Sequence, residues 1–418
     1  MLEHPISRVQ IWSTFLGNIF EHYDTALFGL LTPFLAPLFF PDFSAISALI
    51  LTYAIIPLGM LARPIGSFVF GYIGDCYGRK EALCFSMFGM AIISGLIAFM
   101  PMSGSVKFLA PLFMTLGRIF QNFFAAGESM GGALYLIEKA PEKHHDLISG
   151  FFGASTVAGI LLASAGVSLL SYYDFVIEGW RILYVLGCLT AVFGFILRRK
   201  MSLASEYSPK KMKASLRKVW SSLWQCRRAL FFVAVASGFS YSCYSIALVL
   251  TNGLVPLVSD ISKAQVAHLN TALLIFDLVT MPLFGWLGQH FSRQKMMAAA
   301  ALCAALSGMP LFMLLEGATL YTLIVVRVLL VIIGVWFSAT LHSWCQELVP
   351  AAHRYSVLSF GYAIGAQLLG SPSAAISLWL FHQTNSVSSA ALYWVFLGLI
   401  SSIVMIKSKA LLIKQVEI

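Results

Sequence analysis

Charge is scarce in this chain. Of its 418 residues only 11% are Asp, Glu, Lys or Arg, while 59% are apolar, and the mean hydropathy is +0.84. A water-soluble domain carries about 25% charged residues. A soluble core is therefore excluded, and lipid is the solvent of most of the sequence. The seven cysteines, Cys76, Cys84, Cys188, Cys226, Cys243, Cys303 and Cys345, form no CxxC and no Cys/His cluster. That excludes a zinc box and a disulfide framework. Most of them sit in apolar stretches, where cysteine behaves as a small hydrophobe. There is no P-loop, so ATP-driven work has no machinery. No nucleophile–base set is present, which excludes an enzyme and calls for no cofactor. A cleavable leader is also excluded, because the first apolar stretch is too long and carries Glu21 and Asp24.

What is abundant is apolar sequence in runs of span length. About 20 helical residues cross the roughly 30 Å of hydrocarbon in a bilayer. Runs of that size predict spans at 12–40, 45–73, 81–101, 106–137, 147–171 and 179–198, then at 228–256, 264–289, 296–315, 319–346, 353–381 and 388–407. The expected fold is an all-α polytopic membrane protein with twelve transmembrane helices in two six-helix bundles. The bundles would be residues 1–198 and 228–418, joined by a linker at 199–227. The net charge is +9. Its distribution matters more than its size. Apart from Arg63, Arg118 and Arg327 deep inside the spans, only Lys107, Arg181 and Lys263 lie at or beside the span ends of one side; the other Lys and Arg crowd the opposite side. Basic loops stay cytoplasmic, so both termini are expected in the cytoplasm. The linker holds Arg198, Arg199, Lys200, Lys210, Lys211, Lys213, Arg217, Lys218, Arg227 and Arg228 against Glu206. It reads as a solvated joint rather than a nucleic-acid surface.

The two bundles repeat one another. Gly71-Tyr-Ile-Gly74-Asp75-Cys-Tyr-Gly78-Arg79-Lys80 after span 2 aligns without gaps with Gly285-Trp-Leu-Gly288-Gln289-His-Phe-Ser292-Arg293-Gln294 after span 8. Glu138-Lys-Ala-Pro141 aligns with Glu347-Leu-Val-Pro350, and Arg118 with Arg327, both at an offset of 209. Parallel repeats of this kind place a site near mid-membrane between the halves.

Charges inside the spans are the candidate site. Each costs at least about 2.5–3.5 kcal/mol at mid-bilayer, so each needs a partner or a water-filled cavity. Glu21, Asp24, Arg63, Arg118 and Glu128 belong to spans 1, 2 and 4. Glu21 and Asp24 share one helix face. Glu21 lies about 15 Å in from the cytoplasmic end of span 1, at a depth close to that of Arg63 and Glu128. Three carboxylates against two guanidiniums leave one surplus negative charge, suited to a carboxyl that takes up a proton during a cycle. On that reading Glu21 or Asp24 carries the proton, and Arg118 tunes it or holds an anionic solute. The alternative is a static ion-pair network. Asp277 and Arg327 are expected to pair with each other in the second bundle. Span 7 shows a stripe of Ser237, Ser240, Tyr241, Tyr244 and Ser245 on one helical face. With Gln121, Asp277 and Arg327, Tyr241 and Tyr244 complete the expected solute cavity. His342 reads as hydrogen-bonded packing.

The Gly71–Lys80 loop resembles the loop signature of the major facilitator superfamily, departing from it at Cys76, where a basic residue is usual. The resemblance implies a cytoplasmic gate formed by Gly71, Asp75, Gly78, Arg79 and Lys80. The second copy, with Gln289 in place of Asp75, implies a weaker latch. A narrower pattern covers most of the first bundle. It comprises Gly17-Asn18 and Glu21-His22-Tyr23-Asp24, Phe39-Phe40-Pro41, Arg63-Pro64-Ile-Gly66, Arg118-Ile-Phe-Gln121, Gly127-Glu128 and Gly179-Trp180-Arg181. It is similar to the metabolite:proton symporter family, whose members carry proline and betaine, α-ketoglutarate, shikimate or citrate. His22 stands where that family usually has Trp, and Thr25 where it has Phe. The Gly-Pro element of drug/proton antiporters is absent from span 5. The resemblance implies a proton-coupled symporter of a small carboxylate or a zwitterion such as proline or betaine, working as a monomer in the bacterial inner membrane. Its partners would be the solute, the proton and the bilayer. An exporter or exchanger on the same fold is the first alternative, and a non-transporting solute sensor the second.

Overall fold

The computed structural model describes residues 8–77, 79–101, 109–126, 129–138, 140–200, 223–350 and 354–416. Every regular element among them is helical. In lipid no water pairs with stray backbone groups, so a chain this apolar must satisfy its N–H and C=O groups within helices. Helix α1 is Arg8–Phe39, α2 Ala45–Met60, α3 Arg63–Tyr77 and α4 Arg79–Ala98. Next come α5 (Ala110–Ala125), α6 (Ser129–Glu138), α7 (His145–Tyr172) and α8 (Val176–Lys200). After residue 222 follow α9 (Arg227–Tyr244), α10 (Thr251–Val258), α11 (Lys263–Gly288) and α12 (Arg293–Met313). The remainder is α13 (Leu320–Ser338), α14 (Leu341–Glu347), α15 (Arg354–Gly365), α16 (Ser373–Thr384) and α17 (Leu392–Val416).

Local sequence sets several helix starts. The Ser44 hydroxyl accepts the Ser47 N–H at the head of α2, and Thr319 does the same for Thr322 at α13. Ser262 and Gln265 form a capping box at α11, which satisfies two donors that the helix start would otherwise orphan. Several crossings are not single regular helices. The chain bends between α2 and α3 at Leu61–Ala62, and between α13 and α14 at Ala339–Thr340. Widened π-turns at Ser245–Leu250 and Ala366–Gly370 interrupt two more. Such interruptions often mark functional sites.

Among the described residues, nine helical stretches are long and apolar enough to cross a membrane. The segments expected as spans 1, 3 and 4 fall outside that set. Helix α1 carries Glu21, His22 and Asp24 at mid-length. The apolar part of α4 is limited to Cys84–Ala98. Helices α5 and α6 flank two residues outside the description. Outward-facing Phe85, Phe88, Leu96, Phe193, Val279 and Leu306 are all more than half or nearly half exposed. Such a surface suits lipid rather than water.

Helices before residue 200 pack directly on helices after residue 227. The longest such contact is α7 along α11, and α2 meets α16 while α3 and α6 meet α15. Close approach of α7 and α11 depends on Gly150 and Gly285. A methyl on Gly150 would lie 2.8 Å from the Met281 carbonyl, and one on Gly285 would lie 2.7 Å from the Asp146 carbonyl. Small residues at a helix crossing permit this spacing. Most of the linker expected at 199–227 lies outside the described residues, although Arg199 and Lys200 extend α8 and Arg227 opens α9.

Candidate functional site

A cavity of about 160 Å³ lies between the two sets of helices. Its wall on one side includes His22, Thr25 and Gly29 of α1, Arg118 of α5 and Thr156 of α7. On the other side it includes Ser240, Tyr241 and Tyr244 of α9, Ser245 of the π-turn, Asp277 of α11, His342 of α14 and Tyr362 of α15. Most of the remaining wall is Ile, Val, Leu and Ala. An apolar pocket with a few converging polar groups is the usual form of a small-molecule site.

Arg118 is placed by tight packing. A methyl on Gly59 of α2 would sit 2.8 Å from the Arg118 Cβ, so only glycine lets α2 and α5 close at this level. The side chain is 2% exposed. Its Nη1 donates to Gln121 Oε1 at 2.6 Å and to the Asp24 carbonyl at 3.4 Å, and Nη2 donates to the Thr25 carbonyl at 3.0 Å. Its buried Nε has no hydrogen-bond partner among the described residues. The ring of Phe28 lies 5.6 Å from the guanidinium carbon, within cation–π reach.

Asp24 sits behind that arginine, off the cavity wall. Its Oδ2 accepts from Ser94 Oγ at 2.5 Å and from Gln121 Nε2. Gln121 therefore bridges the carboxylate and the guanidinium, and the two make no direct ion pair. Glu21 forms a separate unit with Arg63 at 3.4 Å, and Arg63 Nε donates to Asn122 Oδ1 at 3.0 Å. Asn122 in turn donates to the Arg118 carbonyl at 2.8 Å. The cluster expected across spans 1, 2 and 4 thus resolves into two units joined by one amide. Glu128 lies outside the described residues. The same holds for Gly78 and for the side chains at Gly71, Asp75, Arg79 and Lys80.

The pair expected between Asp277 and Arg327 does not form. Arg327 is fully buried and donates to the Ala247 carbonyl at 3.2 and 3.0 Å, to the Val266 carbonyl at 3.4 Å and to Asn270 Oδ1. Those acceptors already occupy its donors, so it does not reach the cavity. Asp277 does line the cavity, and its buried Oδ1 has no partner among the described residues. Gln121, expected on the cavity wall, instead serves Asp24. Tyr241 and Tyr244 are on the wall as expected, with ring centroids 6.0 Å apart. From the span 7 stripe, Ser237 turns away and bonds the Tyr362 carbonyl at 3.2 Å. His342 faces the cavity, stacked on Tyr362 and edge-on to Phe152, with its buried Nδ1 unpartnered among the described residues.

Both ends of the cavity are bridged. At one end Tyr53 Oη donates to the Val249 carbonyl at 2.8 Å and Lys263 Nζ to the Pro33 carbonyl at 2.9 Å. At the other, Arg293 pairs with Asp146 at 3.1 Å and Glu347 at 2.8 Å, while Ser343 donates to Asp146. Arg354 pairs with Glu138 at 3.1 Å, and Gln289 lies 3.3 Å from His144 Nδ1. Of the second loop copy, Arg293 and Gln289 take part in these contacts, and the carboxylates that Arg293 meets are Asp146 of α7 and Glu347 of α14. Sequence reading passed over Asp146, Ser94 and Asn270. Asp146 follows Glu142, Lys143 and the two histidines in a polar segment, where it reads as an ordinary loop charge.

A family model described as Sugar (and other) transporter matches residues 10–217. The citrate-proton symporter of Klebsiella pneumoniae is 29% identical over 399 residues, covering 91% of this chain and 86% of that protein. The chain belongs to the major facilitator superfamily. Similarity also extends to a protein of Staphylococcus haemolyticus assigned as a proline/betaine transporter, 27% identical over 97% of this chain and 88% of that one. The fold matches that of the xylose transporter of E. coli in a partially occluded inward-open conformation. There the TM-score is 0.73 with 18% identity, covering 96% of this chain and 97% of the other. A multi-pass transporter of this superfamily is therefore the frame in which the cavity is read.

Proposed function

We propose that this chain is a proton-coupled symporter that brings a small organic solute, a carboxylate or a zwitterion, across the bacterial inner membrane. In this reading twelve spans form two bundles, 1–198 and 228–418, with both termini in the cytoplasm, and a monomer suffices. The bundles rock about the cavity, opening it to each side in turn. Asp24 takes the proton, Arg118 takes the carboxylate of the solute, and Gln121 passes the state of one to the other. Glu21, Arg63 and Glu128 support that centre, and the Gly71–Lys80 loop gates the cytoplasmic side.

One observation carries the reading. A buried carboxylate is held one amide away from an arginine that borders the cavity. Protonating Asp24 would remove the negative charge that Gln121 reports to the guanidinium, so proton and solute occupancy are linked through three side chains. A ligand shifts such an equilibrium only by its differential affinity for the two states. The related citrate-proton symporter and proline/betaine transporter are consistent with a carboxylate-bearing solute. Uptake by proteoliposomes tests this. Labelled proline, glycine betaine, citrate and shikimate are offered with an inward proton gradient, without one, and with protonophore. Gradient-dependent accumulation of at least one solute is expected. Uptake indifferent to the gradient would remove the proton from the mechanism, and solute-driven efflux against it would make the chain an exchanger.

A further inference from the structure

Two charged side chains line the cavity, and they are not paired with each other. Arg118 enters from α5 and Asp277 from α11, on opposite sides of the boundary between the two sets of helices. Neither makes an ion pair with any described residue. Arg118 has its Nη atoms occupied by carbonyls and Gln121, with Nε left over. Asp277 has nothing: no hydroxyl, amide or cation among the described residues reaches its buried Oδ1. A carboxylate buried without a partner is costly unless something else supplies one. Neighbouring wall residues do not supply it. Met281, one turn further along α11, and Leu330 and Val331 of α13 line the same cavity and offer no donor.

We propose that Asp277 is the anchor for a cationic nitrogen of the solute, so that the cavity selects molecules bearing a carboxylate and a cation at once. Arg118 holds the carboxylate end and Asp277 the cationic end. Tyr241 and Tyr244 line the same cavity, and π faces attract an ammonium and tolerate one that has no N–H to donate. A tricarboxylate would set its surplus negative charge against Asp277. This assignment rests on the cavity's being the solute site of the symporter reading, and it narrows that reading to zwitterions.

A pair of isosteres separates charge from shape. Glycine betaine and 3,3-dimethylbutanoate have the same outline and the same carboxylate, and only the first carries a positive nitrogen. Thermal unfolding of the purified full chain in detergent is followed with glycine betaine, proline, carnitine, 3,3-dimethylbutanoate, citrate and shikimate. A ligand of the folded state raises the unfolding temperature with its concentration. At least one zwitterion is expected to stabilise the wild-type chain at a concentration about tenfold or more below that needed by 3,3-dimethylbutanoate. In Asp277→Asn this preference should vanish, and in Asp277→Glu it should largely return. Stabilisation by anions alone overturns the assignment, as does an Asp277→Asn chain that still prefers the zwitterion. The wild-type comparison needs no variant, so poor folding of Asp277→Asn leaves the assignment testable. Zwitterion-selective stabilisation without gradient-driven uptake upholds the anchor and removes the symporter reading.

Discussion

Arg118 and Arg327 occupy matching places in the two repeats, 209 residues apart. Both are among the largest fully buried side chains in the molecule. Both spend donors on backbone carbonyls of a helix that opens its repeat. Arg118 reaches those of Asp24 and Thr25 in α1, and Arg327 reaches that of Ala247 in the π-turn after α9. Ala247 sits in a π-turn while Asp24 and Thr25 lie in the regular helix α1, and in both places a guanidinium with five donors is suited to collect backbone carbonyls. This shared geometry explains why the repeat retains an arginine at each place. The difference lies beside them. Arg118 has Gln121 and, through it, the carboxylate of Asp24, and it borders the cavity. Arg327 has Asn270 and no carboxylate, and it does not line the cavity. One arginine keeps a structural duty and gains a chemical one; the other keeps the structural duty alone.

Removing each arginine is the strongest way to break that comparison. Arg118→Gln should leave a folded transporter whose uptake falls roughly 10- to 100-fold, since a hydrogen bond to a charged group contributes about 1.5–3 kcal/mol. Arg327→Gln should instead lose stability by about 1–3 kcal/mol, because Asn270 and the Ala247 and Val266 carbonyls lose their charged donor. Uptake per folded molecule and thermal unfolding, measured on both variants, separate the two roles. If Arg327→Gln folds normally but does not transport, the division between the two arginines is wrong. Asp24→Asn ranks next. It keeps the Ser94 and Gln121 neighbours but cannot release a proton, so gradient-driven accumulation should fall about tenfold or more, while solute exchange at equal pH persists. Unchanged accumulation would move the proton to another carboxyl.

The sequence made nine of the expected spans legible, because apolar run length is a one-dimensional signal. It also made the cavity role of Tyr241 and Tyr244 legible, since a polar stripe on one face of a membrane helix must look at something other than lipid. What it hid were pairings between distant segments. The scarcity of charges in the second bundle suggested that Asp277 meets Arg327, but scarcity does not fix depth. Asn270 lies seven residues before Asp277, on nearly the same face of α11 but about 10 Å away along its axis, and it meets Arg327 while Asp277 lines the cavity. Gln121 was misread for a related reason. An amide beside an arginine on one helix face points wherever the arginine points, and here that is toward Asp24.

The two loop copies extend the comparison at lower energy. Arg293 holds Asp146 of α7 and Glu347 of α14 together, across the boundary between the helices before residue 200 and those after 227. Asp146 is buried while Arg293 and Glu347 are partly exposed, so the Glu347 arm is screened and contributes on the order of 1 kcal/mol or less, and Asp146 keeps the Ser343 hydroxyl when Arg293 is removed. Arg293→Gln should therefore leave folding intact and shift the resting population several-fold toward opening at that end. A cysteine placed on the cavity wall would then label faster from that side. Asp146→Asn should do the same, and the double variant should add little, because both remove one contact. Full additivity would mean that the two residues act separately.

The smallest expected effect is at the opposite end. The Tyr53 hydroxyl donates to the Val249 carbonyl across the same boundary, and Tyr53 is 1% exposed. Tyr53→Phe removes that bond and keeps the ring, at a cost of about 0.5–1.5 kcal/mol. The loss falls only on conformations closed at this end, so thermal stability should drop slightly while labelling at the cavity becomes a few-fold faster from the Tyr53 side. Arg293→Gln and Tyr53→Phe should thus bias the chain in opposite directions, and the combined variant should return labelling toward the wild-type balance. If both variants accelerate labelling from the same side, the two bridges do not close opposite ends of one cavity.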